Sequence, residues 1–192
     1  MSSSRVKPVL VVVLLLFVAG AAGCAKAKHD QAARAAVHQA APADFVAKAS
    51  DFVPLKEMTH VRGFFLANRR GHLAQTLAIA RANRGGTYPV GTIVQLVPQE
   101  AMVKRRAGFD PASDDWEFFE LDVSKAGTTI HQRGGAEVMS RFGVGSCSSC
   151  HSVAGKKYDF VCETTHGCAP LPIGRDTIDK IQASDPRPLT SS

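Results

Sequence analysis

The chain has little of what marks a nucleic-acid binder, a repeat array or a membrane-spanning protein. It carries one Trp and two Tyr. Its basic groups, Arg69-Arg70, Lys104-Arg105-Arg106 and Lys156-Lys157, are short, lie among acids and have no interleaved aromatics. A formal charge of +6 spread in this way makes no cationic groove, so nucleic acid is not an expected partner. The clusters read as solvated faces or a docking rim for an acidic redox partner, and Lys104 reads as an ordinary surface cation. No internal repeat is visible. The apolar run from Val9 to Ala22 falls short of the roughly 20 residues that span a bilayer as a helix.

What the first segment does contain is Arg5 and Lys7, the apolar run, and the small-residue close Ala21-Ala22-Gly23-Cys24. That order is expected of a secretory signal peptide over residues 1–24. Gly-Cys at its end resembles a bacterial lipobox, which makes Cys24 a lipidation candidate, although Ala21 stands where leucine is usual. Residues 25–50, rich in Ala, Lys, Gln and His, read as a flexible tether, with His29 and His38 in solvent. The expected location is the periplasm or an outer-membrane tether. Residues 51–185 are long enough for one domain with a real core, and 186–192 read as a loose tail.

Ser146-Cys147-Ser148-Ser149-Cys150-His151 is the stretch that carries chemistry. Cys-x-x-Cys-His is the signature for covalent attachment of a c-type haem. Two thiols three residues apart share one face of a helical turn and reach one porphyrin edge, where each can add to a vinyl group. His151 follows directly and can ligate the iron on the proximal side. Gly143, Gly145 and the flanking serines are small enough to let a flat ring approach the backbone. The alternatives are a redox Cys-x-x-Cys pair or half of a zinc site. Export fits the first reading, because c-type haem is attached outside the bacterial cytoplasm, where disulfides also persist. The five cysteines then divide cleanly: Cys24 to the leader or lipid, Cys147 and Cys150 to haem, and Cys162 with Cys168 to a disulfide around a small loop.

The rest of the chain alternates β-rich runs with turns. His60 to Leu66 reads as a strand, ended by Asn68 and the Arg69-Arg70-Gly71 turn. Leu73, Leu77 and Ala80 recur at helical spacing between His72 and Asn83, a helix closed by Gly85-Gly86. Further strands are expected at Thr92 to Val97, Ala101 to Arg106 and Asp115 to Val123. In the last of these Glu117, Phe119, Leu121 and Val123 point one way, and Trp116 and Phe118 the other. Thr128 to Gln132 pairs back as a hairpin, Asp159 to Val161 makes a short strand, and Asp176 caps a last helix carrying Ile178 and Ile181. The expected fold class is α+β: an antiparallel β-sheet with flanking helices, holding a single c-type haem, unlike the all-helical small cytochromes.

His60-Val61-Arg62 entering Phe-Phe-Leu-Ala-Asn, then Tyr88-Pro89-Val90-Gly91-Thr92, the aromatic strand at Trp116 and the late Cys-x-x-Cys-His together resemble the cytochrome P-460 family, with the related β-sheet cytochromes c′. The resemblance covers roughly His60 to Asp159. It implies an antiparallel sheet with one c-type haem, often in a homodimer, with an open distal side that binds nitric oxide or oxidises hydroxylamine. It places Cys147 and Cys150 at the thioethers and His151 at the proximal position. Family members that oxidise hydroxylamine link a lysine to the porphyrin. The strand after Pro-x-Gly-Thr carries Gln95 instead, and the nearest downstream lysine is Lys104; either Lys104 serves or the link is absent, so the catalytic assignment stays open between oxidation, ligand binding and electron transfer.

An electron carrier would need a sixth iron ligand, for which Met58, Met102, Met139, His60, His72, His131 and His166 are candidates. An open side lined by Phe64, Phe65, Phe118 or Phe119 would favour neutral gases, and Glu100, Glu117 or Glu163 could accept protons there. A reading from another class makes Cys147, Cys150, Cys162 and Cys168 a structural four-thiolate zinc site in a non-haem binding module.

Overall fold

The computed structural model describes residues 43–143 and 145–190. The expected signal peptide, Cys24, His29 and His38 lie outside the described residues. Six strands form one antiparallel sheet in sequence order: β1 (Thr59–Val61), β2 (Phe64–Asn68), β3 (Thr92–Gln95), β4 (Glu100–Lys104), β5 (Trp116–Ser124) and β6 (Gly127–Gly134). Among the described residues, three α-helices accompany it: α1 (Leu73–Ala82), α2 (Cys147–His151) and α3 (Arg175–Ala183). The architecture is thus α+β with an open antiparallel sheet. No helix among the described residues is long and apolar enough to cross a membrane.

Both faces of the sheet are covered, which is why β3 is buried along its whole length rather than at alternate residues. Phe64, Leu66, Val94, Met102, Trp116 and Phe118 pack on one face with Ala80, Val138, Phe160 and Val161. Ile93, Ala101, Val103, Phe119 and Leu121 pack on the other with Ala47, Phe52, Leu55 and Met58. The expected split of Trp116 and Phe118 from Phe119, Leu121 and Val123 is therefore observed. Burying a Leu- or Phe-sized side chain contributes about 1.5–3 kcal/mol, so these two clusters dominate the stability of the sheet.

The run expected as one strand from His60 to Leu66 is two. Val61 pairs with Phe64, so Arg62 and Gly63 form a two-residue turn. Arg62 takes a φ of 54°, unusual for a residue with a Cβ. Its guanidinium is held by Glu163, with Nε donating to Oε2 at 2.7 Å, and by the Ala80 carbonyl at 2.7 Å. Tertiary contacts impose the turn that local propensity does not. Helix α1 ends earlier than its glycines suggest, at Asn83 in the left-handed conformation (φ 50°), whose N–H donates to the Ile79 carbonyl.

Four further expectations are corrected. The tether ends before Asp44: Ala47 is 1 % exposed, Arg133 donates to its carbonyl at 2.9 Å, and Asp44 pairs with Arg105 at 2.6 Å. Arg105 holds the Asp44 carboxyl down at about 2. The C-terminal tail is pinned by Asp185 and Arg187, a buried pair at 2.6 Å, which accept from Leu55 N (2.8 Å) and donate to the Phe52 carbonyl (3.0 Å) respectively. Asp159 to Val161 is a tight turn rather than a strand, with Asp159 at φ 50° and Phe160 at φ 57°. Gly174 is the N-terminal cap of α3, and Asp176 sits in its first turn, where a carboxylate favours the helix dipole.

Candidate functional site

The Cys-x-x-Cys-His motif is a single helical turn, α2, built against the sheet face that carries Trp116 and Phe118. Ser146 caps it, its Oγ accepting from Ser149 N at 3.2 Å. Cys147 N donates to the Val138 carbonyl at 2.8 Å and Ser148 Oγ to the Ala136 carbonyl at 2.7 Å. Ser140 N donates to the Gly145 carbonyl, closing the loop before the motif through Gly143 (φ 73°) and Gly145 (φ 97°). Five residues make no stable helix alone, so these ties hold the turn in place.

Cys147 and Cys150 are both free thiols, the first half-buried against the core and the second exposed. Burial, with the charges of Glu100 and Glu120 adding to it, pushes the Cys147 thiol up to about 12. His151 packs on Phe118 with ring centroids 5.3 Å apart. Its Nδ1 lies 2.8 Å from the Phe160 carbonyl oxygen. A carbonyl only accepts, so Nδ1 carries the proton and Nε2 keeps its lone pair. Burial lowers the His151 pKa and favours the neutral ring, the form that ligates metals.

Cys162 and Cys168 are at disulfide distance, with Cα atoms 5.8 Å apart. The Cys162 sulfur touches the Cys150 carbonyl at 3.2 Å, so the bridge backs the motif. Glu163, next in the chain, ties this loop to the β1–β2 turn through Arg62. With that bridge closed, two of the four cysteines needed for a thiolate zinc site are already paired.

The donor set suits a c-type haem: two reduced thiols at the thioether spacing and one neutral imidazole with Nε2 unprotonated. Flanking the motif, a Cβ at Gly143 or Gly155 would meet nothing within 4 Å. A small crevice lined by Arg62, Ile79, Tyr88, Tyr158 and His166 is a separate feature to which none of the three motif side chains contributes.

The sheet sorts the other candidates. Phe64, Phe118 and Met102 lie on the face toward the motif, whereas Phe65, Phe119 and Met58 pack on the opposite face. His60, His72 and His131 are exposed. His166 is engaged at both ring nitrogens, with the Val161 carbonyl (2.6 Å) and Asn83 Oδ1 (2.5 Å). Met139, 55 % exposed, borders the motif through its bridge to Ser146. Glu117 is bound by Arg105 and Arg133 on the opposite face, and Glu163 by Arg62.

Glu100 alone of the proposed acids stands beside Cys147, and it does not stand alone. It pairs across the strands with Glu120, accepts from Ser140 Oγ at 2.7 Å, and burial raises it to about 7, with Glu120 adding to the effect. Glu120 is held by Arg141 Nε at 2.5 Å. Sequence reasoning missed Glu120, although period-two alternation puts it on the Trp116–Phe118 face.

Lys104 is not a surface cation. It is 5 % exposed, pairs with the Asp159 carboxylate, donates to the Asp114 carbonyl at 2.6 Å and lies 5.2 Å over the Trp116 ring. Burial pushes Asp159 up to about 7, against the opposing pull of Lys104.

Comparison of the chain with protein-family models, with curated proteins and with solved structures finds no match.

Proposed function

We propose that this chain is an exported c-type monohaem protein of the cytochrome P-460 type, which binds or oxidises a small nitrogen compound such as hydroxylamine or nitric oxide, or passes electrons. The observation that carries this reading is the His151 ring: it follows two free thiols at thioether spacing, and its Nδ1 proton is held by the Phe160 carbonyl at 2.8 Å. Ligating histidines are oriented in this way by a carbonyl or carboxylate on the other ring nitrogen.

When bound, haem c would supply one-electron chemistry and an iron able to take a small ligand. Cys147 and Cys150 fix it covalently, His151 offers Nε2 to the iron, and the Cys162–Cys168 bridge holds the polypeptide behind the motif. Glu100, raised by burial with Glu120 beside it, offers an exchangeable proton beside Cys147. Lys104, committed to Asp159, leaves the porphyrin joined by the two cysteines alone, which favours ligand binding or electron transfer over oxidation of hydroxylamine. Met102 and Met139 are the sixth-ligand candidates that the fold leaves on the motif's side. The leader points to the periplasm or a lipid tether at Cys24, and the partners are a small ligand, a redox protein and a second copy of the chain.

Absorption spectra of the oxidised and reduced holoprotein test the reading. A Soret band, a pyridine-haemochrome spectrum of two saturated vinyls and rapid uptake of carbon monoxide on reduction are expected for an open iron. A colourless protein that binds zinc through its cysteines overturns it.

A further inference from the structure

We propose that Lys104 and Asp159 are positioning residues that aim the Phe160 carbonyl at His151, an inference that rests on His151 being the iron ligand. Asp159 is fully buried and is gripped from three directions. Its carboxylate accepts from Lys104 Nζ of β4 and from the backbone N–H of Tyr88 at 2.7 Å, and its own carbonyl accepts from Trp116 Nε1 of β5 at 2.7 Å. Lys104 is spent entirely inside: its ammonium also reaches the Asp114 carbonyl and the Trp116 ring.

This grip has a local consequence. Asp159 and Phe160 both take positive φ, 50° and 57°, a conformation that residues with a Cβ adopt only when their surroundings impose it. The next carbonyl, that of Phe160, accepts the His151 Nδ1 proton. A buried ion pair adds little stability over well-packed apolar side chains. One placed a single residue from the carbonyl that orients a metal ligand has instead a geometric effect: it fixes the peptide plane facing the imidazole. A firm Nδ1–H donation makes Nε2 more basic, which favours the oxidised iron. Loosening the Asp159 turn weakens that donation and favours the reduced iron. The nearest basic residue downstream of the Pro-x-Gly-Thr segment thus belongs to the proximal histidine rather than to the porphyrin.

The test uses haem-loaded protein matured in a host with the attachment machinery. Lys104→Met, Asp159→Asn and the double variant are compared with Lys104→Arg and with Asp44→Asn, which breaks an ion pair on the opposite sheet face. Readouts are the one-electron midpoint potential and the iron–histidine stretching band. The proposal expects the neutralising variants to shift the reduction equilibrium about ten-fold toward the ferrous state, about 59 mV for one electron, and to lower the stretching frequency. Lys104→Arg and Asp44→Asn stay near the parent. If a single variant misfolds, the double variant decides, because it leaves no unpaired buried charge. Variants that carry covalent haem and melt cooperatively, yet keep the parental midpoint and band, overturn the proposal and leave the haem reading intact; a lowered melting temperature alone does the same. A parent chain without covalent haem overturns both, and a porphyrin-linked peptide containing Lys104 overturns the positioning role.

Discussion

His151 donates its Nδ1 proton to the backbone carbonyl of Phe160, nine residues downstream, across 2.8 Å. One hydrogen bond fixes the tautomer and joins the motif helix to a turn held by Lys104 of β4, Trp116 of β5 and the backbone N–H of Tyr88. The motif supplies the donors, and the sheet supplies their orientation.

Replacing the ring tests its assigned role directly. His151→Ala keeps both thiols, so covalent haem is expected to remain while the axial ligand is lost. Added imidazole should restore a parent-like absorption spectrum, since the ring removed leaves room for it. An unchanged spectrum in His151→Ala without imidazole contradicts the assignment.

The Cys162–Cys168 bridge closes a short loop behind Cys150. Cys162→Ser with Cys168→Ser is expected to lower stability by about 2 kcal/mol on loop-closure entropy, or roughly 4–8 °C in melting temperature for a domain of this size. Thermal melts of both proteins check the magnitude, and thiol counting before and after reduction checks the bridge.

Acidity acts through Glu100 in a defined direction. Its carboxyl, 4.5 when unperturbed, rises to about 7 in the fold, through burial first and Glu120 after that. The fold therefore favours the protonated form. That contribution is complete below pH 4.5 and is lost as pH rises through about 7. Denaturant unfolding from pH 4.5 to 8 should show Glu100→Gln gaining on the parent at the alkaline end, on the order of 1–3 kcal/mol. A pH-independent difference between the two proteins rules this account out.

The tail prediction rests on a buried pair. Arg187→Ala leaves the Asp185 carboxylate buried without its guanidinium, which is destabilising by about 3–5 kcal/mol. Removal of residues beyond Arg187 should be milder, and chemical denaturation distinguishes the two. Equal effects would mean that the ion pair adds nothing.

Much of the scaffold was legible in local pattern. Alternation at Trp116 to Val123 separates the two sheet faces, the spacing of Leu73, Leu77 and Ala80 marks α1, and the cysteine arithmetic pairs Cys162 with Cys168. The features that escaped are made by residues far apart in the chain. Arg105 reaches back to Asp44, Arg187 to Phe52, and Lys104 forward to Asp159. No periodicity encodes such contacts. The Arg62 turn and the paired positive φ values at Asp159 and Phe160 are likewise imposed from outside, by Glu163 in one case and by Lys104, Trp116 and Tyr88 in the other. Of the site, the motif was legible and most of its surroundings were not: alternation alone puts Glu120 on the Trp116–Phe118 face, but its pairing with Glu100, the Phe160 carbonyl and the Lys104–Asp159 pair follow only once the strands are in register.

The most direct measurement is peroxidase staining of the chain on a denaturing gel after maturation in a cell that attaches c-type haem, beside a Cys147→Ser/Cys150→Ser variant. Stain migrating with the parent polypeptide and absent from the variant is the predicted result. An unstained parent band, with folded protein confirmed in the same preparation, contradicts the assignment.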